Sequence, residues 1–483
     1  MILNLSWVLL LLLLQDNESG PGVELWQMAQ KAADSGRYSA ADALYRRIVE
    51  EAPGTELARA AKERLQPNAL LRVVDLEMNG DPERRIDVFI MGEGYSRKPK
   101  SQKIFDKAAM QTVTYFSQAP VFRRYQKFFN FHAMNIASRE DGVDRAGHDY
   151  DTPLGAFESG ATQGQVAVDP ESVWKFLRMD PRAEGFAVVI VRLGTLGTGG
   201  GGIAVVGGAP SNVVIHEWGH AFGDLGDEYT SDVGYTGPTP RNVNVSDSPD
   251  PEKAPWKHWL DLKTKGVGVF AGAAGRSQGA WRPTASGCAM SRGPSFCLVC
   301  REALVAHIYD LISPIDEVEP SGETVVIDPS ESSVFRVIPM AVIGEPSLEV
   351  RFTLEEVQGG LGTLDLNGGG GNGFFDGPEG GGLFSEDRGE PAVVGGGGGY
   401  HSWNRRSRFG KQPDPPLKGE DLRVSRQKMP DRRVAYEVKL SARELGPGSY
   451  RLHARVADPT DWVLSPEWLP LLSETRTWKI VVR

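Results

Sequence analysis

The sequence predicts a multidomain protein in which a mixed α/β domain lies between a small helical segment and a C-terminal antiparallel β-sandwich. The first observation is length, because 483 residues, 40% of them hydrophobic, exceed what one hydrophobic core supports. The second is that strand and helix patterns alternate only after Pro67, behind a purely helical front. The third is that helical patterns fade beyond Pro314, where short β-prone runs follow.

Residues 1–20 are interpreted as a signal peptide. Six leucines, Leu9 to Leu14, form an apolar block, and a polar run begins at Gln15. This block is shorter than the roughly 20 residues that span a bilayer. We therefore expect an exported protein, periplasmic, cell-surface or extracellular, without a stable membrane span. An uncleaved anchor or a wrongly assigned start stays open, because no Lys or Arg precedes the leucines.

Residues 21–67 are predicted to form a helical hairpin. Gly36, Tyr38, Ala41 and Tyr45, followed by Pro53, resemble a single tetratricopeptide unit. One such unit cannot bury its own apolar face and needs a neighbour. A spacer docked on the next domain is therefore favoured over a peptide-binding array.

Residues 68–313 alternate between strand and helix patterns, which predicts the α/β domain. The predicted strands are 70–76, 86–91, 128–136 and 186–193, and the predicted helices are 101–117, 171–177 and 300–311. A glycine-rich stretch, Gly194 to Gly208, leads into one more helix.

Residues 314–483 contain β-prone runs spaced as in a sandwich, at 323–327, 334–339, 348–354, 434–440, 449–456 and 477–482. A glycine-rich insert at about 359–416 has no evident core and is predicted to be a mobile loop. Its acidic and amide residues give only a faint calcium-repeat pattern without the period.

The net charge of -10 argues against nucleic acid as a partner, because nucleic-acid affinity depends on clustered Lys and Arg.

The segment His216-Glu217-Trp218-Gly219-His220 is an HExxH motif. Residues four apart share one face of a helix, so His216 and His220 can bind one Zn²⁺ ion. Glu217 is then placed to take a proton from a water molecule whose pKa the zinc lowers to about 7. Ile215, Trp218 and Phe222 form an apolar stripe that is expected to anchor the helix, which Ser211 or Asn212 can cap.

A catalytic zinc ion needs a third protein ligand. Metzincin spacing puts it at Gly226, which has no side chain to offer. Gly223 allows a sharp turn, and the return segment carries Asp227 as the better candidate and Glu228 as the second. Asp224 is expected to be a solvated turn residue.

The run from His216 through Asp227 to Tyr229 resembles the IgA-peptidase (igalysin) family of zinc metallopeptidases. Further similar segments are Arg85 to Tyr95, Phe129 to Phe131, Ser138 to Asp144, Gly199 to Gly202 and Asp458 to Val463. The resemblance implies a zincin-type catalytic domain, with His216, His220 and Asp227 as zinc ligands and Glu217 as general base. Glu93 stands where the family is expected to have aspartate.

All three cysteines lie downstream of the motif, at Cys288, Cys297 and Cys300. In an exported protein, a disulfide from Cys288 to Cys297 or Cys300 is the default expectation. A second zinc site is the weaker alternative, because three thiolates need a fourth ligand. Met290 is interpreted either as a Met-turn beneath the metal or as a gap-filling core residue.

Two features could act on a substrate. Tyr229 or Tyr235 could donate a hydrogen bond to the oxyanion. The strand near Ile203 to Val206 could pair an exposed edge with an extended peptide.

Together these observations predict an exported zinc-dependent endopeptidase whose substrate is a protein or peptide. The alternatives are a surface adhesion protein that uses the β-sandwich beside a degenerate zinc domain, and a zinc hydrolase of non-peptide amides. Retention of Glu217 favours the peptidase. Oligomeric state is not predicted.

Overall fold

The computed structural model describes residues 21–35, 37–145, 148–158, 164–231, 238–357 and 417–483. The described residues up to 307 form one compact unit, and residues 308–357 and 417–483 form a second. The predicted signal peptide, the glycine-rich insert and Tyr235 lie outside the described residues. No helix in the described ranges is both long enough and apolar enough to cross a bilayer.

The first unit begins with three short helices, one more than the predicted hairpin. They are α1 (Pro21–Asp34), α2 (Tyr38–Glu51) and α3 (Glu56–Arg64). Thr55 starts the additional helix, because its side chain accepts a hydrogen bond from the backbone N–H of Ala58. The rings of Trp26 and Tyr45 lie 5.3 Å apart in the shared core. Arg139 binds Asp42 at 2.5 Å and Asp151 at 2.7 Å, so the helices are tied to the domain that follows.

A six-stranded mixed sheet follows, in the order β1-β3-β2-β6-β8-β7. Its strands are β1 (Ala69–Glu77), β2 (Ile86–Glu93), β3 (Phe129–Ala137), β6 (Ala187–Val191), β7 (Gly197–Gly200) and β8 (Ile203–Gly207). The central strands β3, β2, β6 and β8 run parallel, and both edge strands run antiparallel to their neighbours. The central strands are buried along their whole length, as their continuous apolar runs predict.

Helices cover both faces of this sheet. The remaining helices of the unit are α4 (Pro99–Gln118), α5 (Pro120–Arg124), α6 (Pro170–Leu177), α7 (Val213–Gly223), α8 (Lys257–Asp261) and α9 (Leu298–Leu311), the last extending into the second unit. Helix α6 packs with Met134, Ile136 and Val189 on one face. Helix α4 packs on the opposite side, where Phe116 meets Phe131. Two short hairpins complete the unit: β4 (Phe157–Glu158) with β5 (Val166–Ala167), and β9 (Phe270–Ala273) with β10 (Arg276–Arg282).

The second unit is β-rich and contains two sheets. One has the order β11-β13-β17-β16, from Ile315–Glu319, Ser332–Pro339, Val434–Ser441 and Ser425–Lys428. The other has the order β12-β19-β18-β14-β15, from Thr324–Ile327, Ser473–Val482, Gly448–Ala457, Glu349–Glu356 and Glu420–Asp421. A single turn of helix, α10 (Ala442–Leu445), follows β17. One pairing departs from the antiparallel prediction, because β12 runs parallel to β19.

Strand β18 illustrates why these runs form strands. Tyr450, Leu452, Ala454 and Val456 are buried while their neighbours alternate outward, which is the period of a half-buried strand. Phe335 of the first sheet contacts Trp478 of the second, with ring centroids 5.3 Å apart.

Candidate metal centre

Helix α7 presents the HExxH residues. Its apolar stripe is buried: Trp218 stacks on Phe222 at 5.3 Å and meets the edge of Phe116 at 5.2 Å. The opposite face therefore carries His216 and His220 away from the core. The helix ends at Gly223, and the chain reverses at the next residue, Asp224, which is exposed and has the left-handed conformation with φ 47°.

Both histidines are oriented by backbone carbonyl groups. Nδ1 of His216 lies 2.9 Å from the carbonyl oxygen of Ala289, and Nδ1 of His220 lies 2.5 Å from that of Leu225. A carbonyl oxygen can only accept, so each Nδ1 carries a proton, and each Nε2 is left available to bind a metal ion.

These Nε2 atoms converge with one carboxylate oxygen. The two Nε2 atoms are 3.2 Å apart, and each lies 3.2 Å from Oδ1 of Asp227. That oxygen is buried and accepts no well-formed hydrogen bond within the described residues. When the histidines are neutral these are three acceptors facing one another, an arrangement that a bound cation stabilises because the lone pairs otherwise repel. Tetrahedral zinc ligands about 2.0–2.1 Å from the metal are about 3.3–3.4 Å apart, so the residues fit Zn²⁺.

Glu217 lies beside this triangle and is only 6% exposed. Strand β7 approaches it closely, because a Cβ on Gly197 would lie 2.7 Å from Cγ of Glu217. Burial raises the pKa of the Glu217 carboxyl, and the neighbouring histidines oppose the rise. A raised pKa suits a group that takes up a proton and passes it on.

The loop that carries Asp227 explains the displaced third ligand. A Cβ at Gly226 would lie 2.6 Å from Val245 and 2.7 Å from Asn242, so no side chain fits there. Asn244 clamps this glycine from both sides, accepting from its N–H and donating to its carbonyl oxygen, each at 2.8 Å. Sequence reasoning missed Asn242 and Asn244, because isolated asparagines in a loop carry no pattern.

Met290 lies directly under helix α7. A Cβ on Gly219 would lie 2.5 Å from Sδ of Met290, and the backbone N–H of Glu228 donates to the Met290 carbonyl oxygen at 2.8 Å. Met290 is fully buried. This contact with Gly219 of the motif agrees with both interpretations, a Met-turn and a gap-filling core residue.

A family model described as IgA peptidase M64 matches residues 74–266. The resemblance to the IgA-peptidase family is confirmed. The matched segment includes the whole HExxH motif and Asp227, and it ends before the cysteines. No curated protein matches the chain. The M64 family is one of metallopeptidases, so the match indicates a metallopeptidase domain, which implies a metal cofactor and protein or peptide substrates. It does not favour the adhesion alternative.

The default disulfide expectation is wrong in this structure. Cys288, Cys297 and Cys300 are all free, and the Sγ atoms of Cys288 and Cys300 are 3.7 Å apart. A disulfide needs about 2.05 Å. The physical reason is a fourth group: Glu228 reaches into the cluster and contacts two of the sulfur atoms.

The prediction that the strand near Ile203 to Val206 offers an exposed edge to a peptide substrate is also wrong. Strand β8 is not at the edge, because β7 pairs with it in antiparallel register. The strand at the edge is β7, Gly197–Gly200. Tyr229 lies beside the site: its ring is 6.0 Å from that of His216, and the Arg292 guanidinium lies 4.7 Å from its centroid.

Proposed function

We propose that the chain is an exported zinc-dependent endopeptidase, with a zincin-type catalytic domain that uses His216, His220 and Asp227 as metal ligands. The observation that carries this proposal is the triangle of two Nε2 atoms and one Oδ1, each 3.2 Å from the others. Two nitrogens and one oxygen are a common donor set for catalytic zinc, which keeps its fourth position open.

A bound zinc ion would polarise the scissile carbonyl group and lower the pKa of a water molecule. The protein's own groups perform the remaining steps. The Glu217 carboxylate takes the proton from the attacking water and delivers it to the leaving amine nitrogen as the C–N bond breaks. The carbonyl groups of Ala289 and Leu225 hold the imidazole rings in place throughout, because each accepts from an Nδ1–H.

Substrate alignment is proposed for strand β7. It is the antiparallel edge strand of the sheet. Its first half is contacted by Gln165 and Val166, and the glycines of its second half let a backbone approach closely. Gly199 lies against the turn of α7 that carries Glu217 and His220, so a peptide paired with β7 would pass the catalytic carboxylate. Tyr229 is the proposed donor to the oxyanion, since its ring lies beside His216.

Export and the layout of the second unit belong to the same proposal. The leucine block of residues 1–20 supports a signal peptide. The contact between Phe335 and Trp478, one from each sheet, supports a β-sandwich. Mass spectrometry of the protein recovered after secretion should show a mature chain that begins near residue 20.

Metal removal and replacement test the central claim. The purified protein is treated with a zinc chelator, dialysed and assayed on a mixed peptide library, then assayed again after stoichiometric Zn²⁺ is added. We expect cleavage to disappear and to return with zinc but not with Ca²⁺. Cleavage that persists in fully metal-free protein would refute the proposal. Hydrolysis of small amides without any peptide cleavage would instead indicate an amidase.

A further inference from the structure

A second cluster of metal-binding side chains lies next to the first. Ligand atoms of Glu228, Cys288, Cys297 and Cys300 all lie within 4.8 Å of one another. Three of the four residues, Glu228, Cys288 and Cys300, are no more than 1% exposed. The cysteines lie beyond the segment that matches the M64 family.

The distances in this cluster fit one bonding arrangement. Zinc–sulfur bonds of about 2.3 Å in a tetrahedron place sulfur atoms about 3.8 Å apart, and a zinc-bound oxygen lies about 3.5 Å from each sulfur. The Cys288 and Cys300 sulfurs are 3.7 Å apart, and Oε1 of Glu228 lies 3.6 Å from Sγ of Cys297. The contact from Sγ of Cys300 to the same oxygen is shorter, at 2.9 Å, and would open by about half an ångström on metal binding.

The carboxylate is held in place for this role. Thr284 donates to Oε2 of Glu228 at 3.1 Å, and Asn244 donates to Oε1 at 3.1 Å. Among the described residues, Glu228 forms no ion pair with Lys or Arg. A buried carboxylate facing three thiols without a cation is costly, and its neighbours orient it as the partners of metal ligands commonly do.

We propose that Cys288, Cys297, Cys300 and Glu228 bind a second, structural Zn²⁺ ion. Three soft thiolates and one carboxylate suit zinc, and Ca²⁺ and Mg²⁺ prefer all-oxygen sites. Four protein ligands leave no open position, which distinguishes a structural site from a catalytic one.

The second site supports the first through the shared backbone. Glu228 directly follows the ligand Asp227, and its N–H donates to the Met290 carbonyl oxygen. Cys288 directly precedes Ala289, whose carbonyl oxygen orients His216. An ion at the second site therefore fixes both segments that position the HExxH ligands.

Zinc counting tests the proposal independently of activity. The full chain is purified under reducing conditions with zinc present, and metal is counted by inductively coupled plasma mass spectrometry. We expect about two ions per wild-type chain, and about one in both the Cys288→Ser/Cys300→Ser and the His216→Ala/His220→Ala double variants. Glu252→Gln, which changes an exposed carboxylate in the same unit, is the matched control and should keep both ions.

Cobalt substitution covers the case in which a cysteine variant does not fold. Co²⁺ bound to thiolates gives a near-ultraviolet charge-transfer band, and imidazole and carboxylate ligands do not. We expect this band in wild-type protein and in the histidine double variant. A wild-type chain that binds one metal ion without this band overturns the proposal. So does an intact mass two hydrogens short, which would reveal a disulfide among the three cysteines.

Discussion

The two candidate metal sites of this domain each take one ligand from a pair of consecutive residues, Asp227 and Glu228. In almost every other respect the two sites differ. Asp227 lies beside two imidazole side chains that are 15% and 11% exposed, and Glu228 lies beside two buried cysteines and one half-buried cysteine. In the two proposals, the first site has three protein ligands and keeps a fourth position for water or substrate, and the second has four protein ligands. Access of solvent to the metal ion, more than the identity of the ligand atoms, therefore distinguishes the candidate catalytic site from the candidate structural site.

The largest expected effect comes from Glu217→Gln. Loss of the general base should lower kcat/KM for peptide cleavage by about 10²–10⁴, and the metal ligands stay intact. Peptide turnover and zinc content, measured on the same preparation, check this expectation. Normal turnover with normal zinc would assign the base to another group.

The substitution Asp227→Asn replaces the third proposed ligand of the first site with an amide. An amide oxygen binds zinc more weakly than a carboxylate, so we expect zinc affinity to fall by at least about 10–100-fold, with activity falling in parallel at limiting zinc. Competition with a chromogenic chelator measures the affinity. Asp224→Asn is the matched control, because that exposed carboxylate lies in the same loop and asparagine tolerates its left-handed conformation. Equal behaviour of the two variants would remove Asp227 from the site.

Glu93 is a buried carboxylate that is held by backbone N–H groups and not by cysteines, so it can be compared with Glu228. Its oxygens accept from the N–H groups of Leu154 and Ala156 at 3.1 and 3.0 Å, and burial raises its pKa to about 7. The folded state then holds the proton to higher pH than the unfolded state. The free energy of unfolding should therefore fall as pH rises from about 4.5 to about 7, by at most about 3 kcal/mol.

Urea unfolding of wild-type and Glu93→Gln proteins across this pH range measures the difference. The variant lacks the titrating group, so its stability should depend less on pH. Parallel pH profiles would show that Glu93 does not titrate with a raised pKa.

The smallest expected effect concerns the packing of β7 on α7. A Cβ on Gly199 would lie 2.3 Å from the carbonyl oxygen of Glu217, so Gly199→Ala should force the strand away and cost about 1–3 kcal/mol. Urea unfolding measures the loss. Gly322→Ala is the control, since the nearest atom to a Cβ there is 3.9 Å away. Unchanged stability would mean that β7 shifts without cost.

Much of the fold could be predicted from local patterns. The strands around Ile86 to Met91 and Ser449 to Val456 were predicted within about two residues, because apolar runs and period-two alternation are properties of short segments. Strand β7 was not predicted, since Gly197 to Gly200 offers almost no side chains from which to recognise a period. Because β7 pairs with β8, the prediction that β8 has an exposed edge was wrong. The hairpin at Phe270–Arg282 was missed for a similar reason, its strands being rich in Gly and Ala.

The sequence by itself determined the HExxH face, its apolar stripe and the displaced carboxylate at Asp227, because a helix of fixed periodicity and the short loop after it bring these groups together locally. Only the tertiary structure decided what the cysteines do. Glu228 and Cys300 are 72 positions apart, and the contact between them depends on how the chain returns beneath helix α7. The spacing of two residues along the sequence cannot predict such a contact, because a long connecting segment constrains the distance between its ends only weakly.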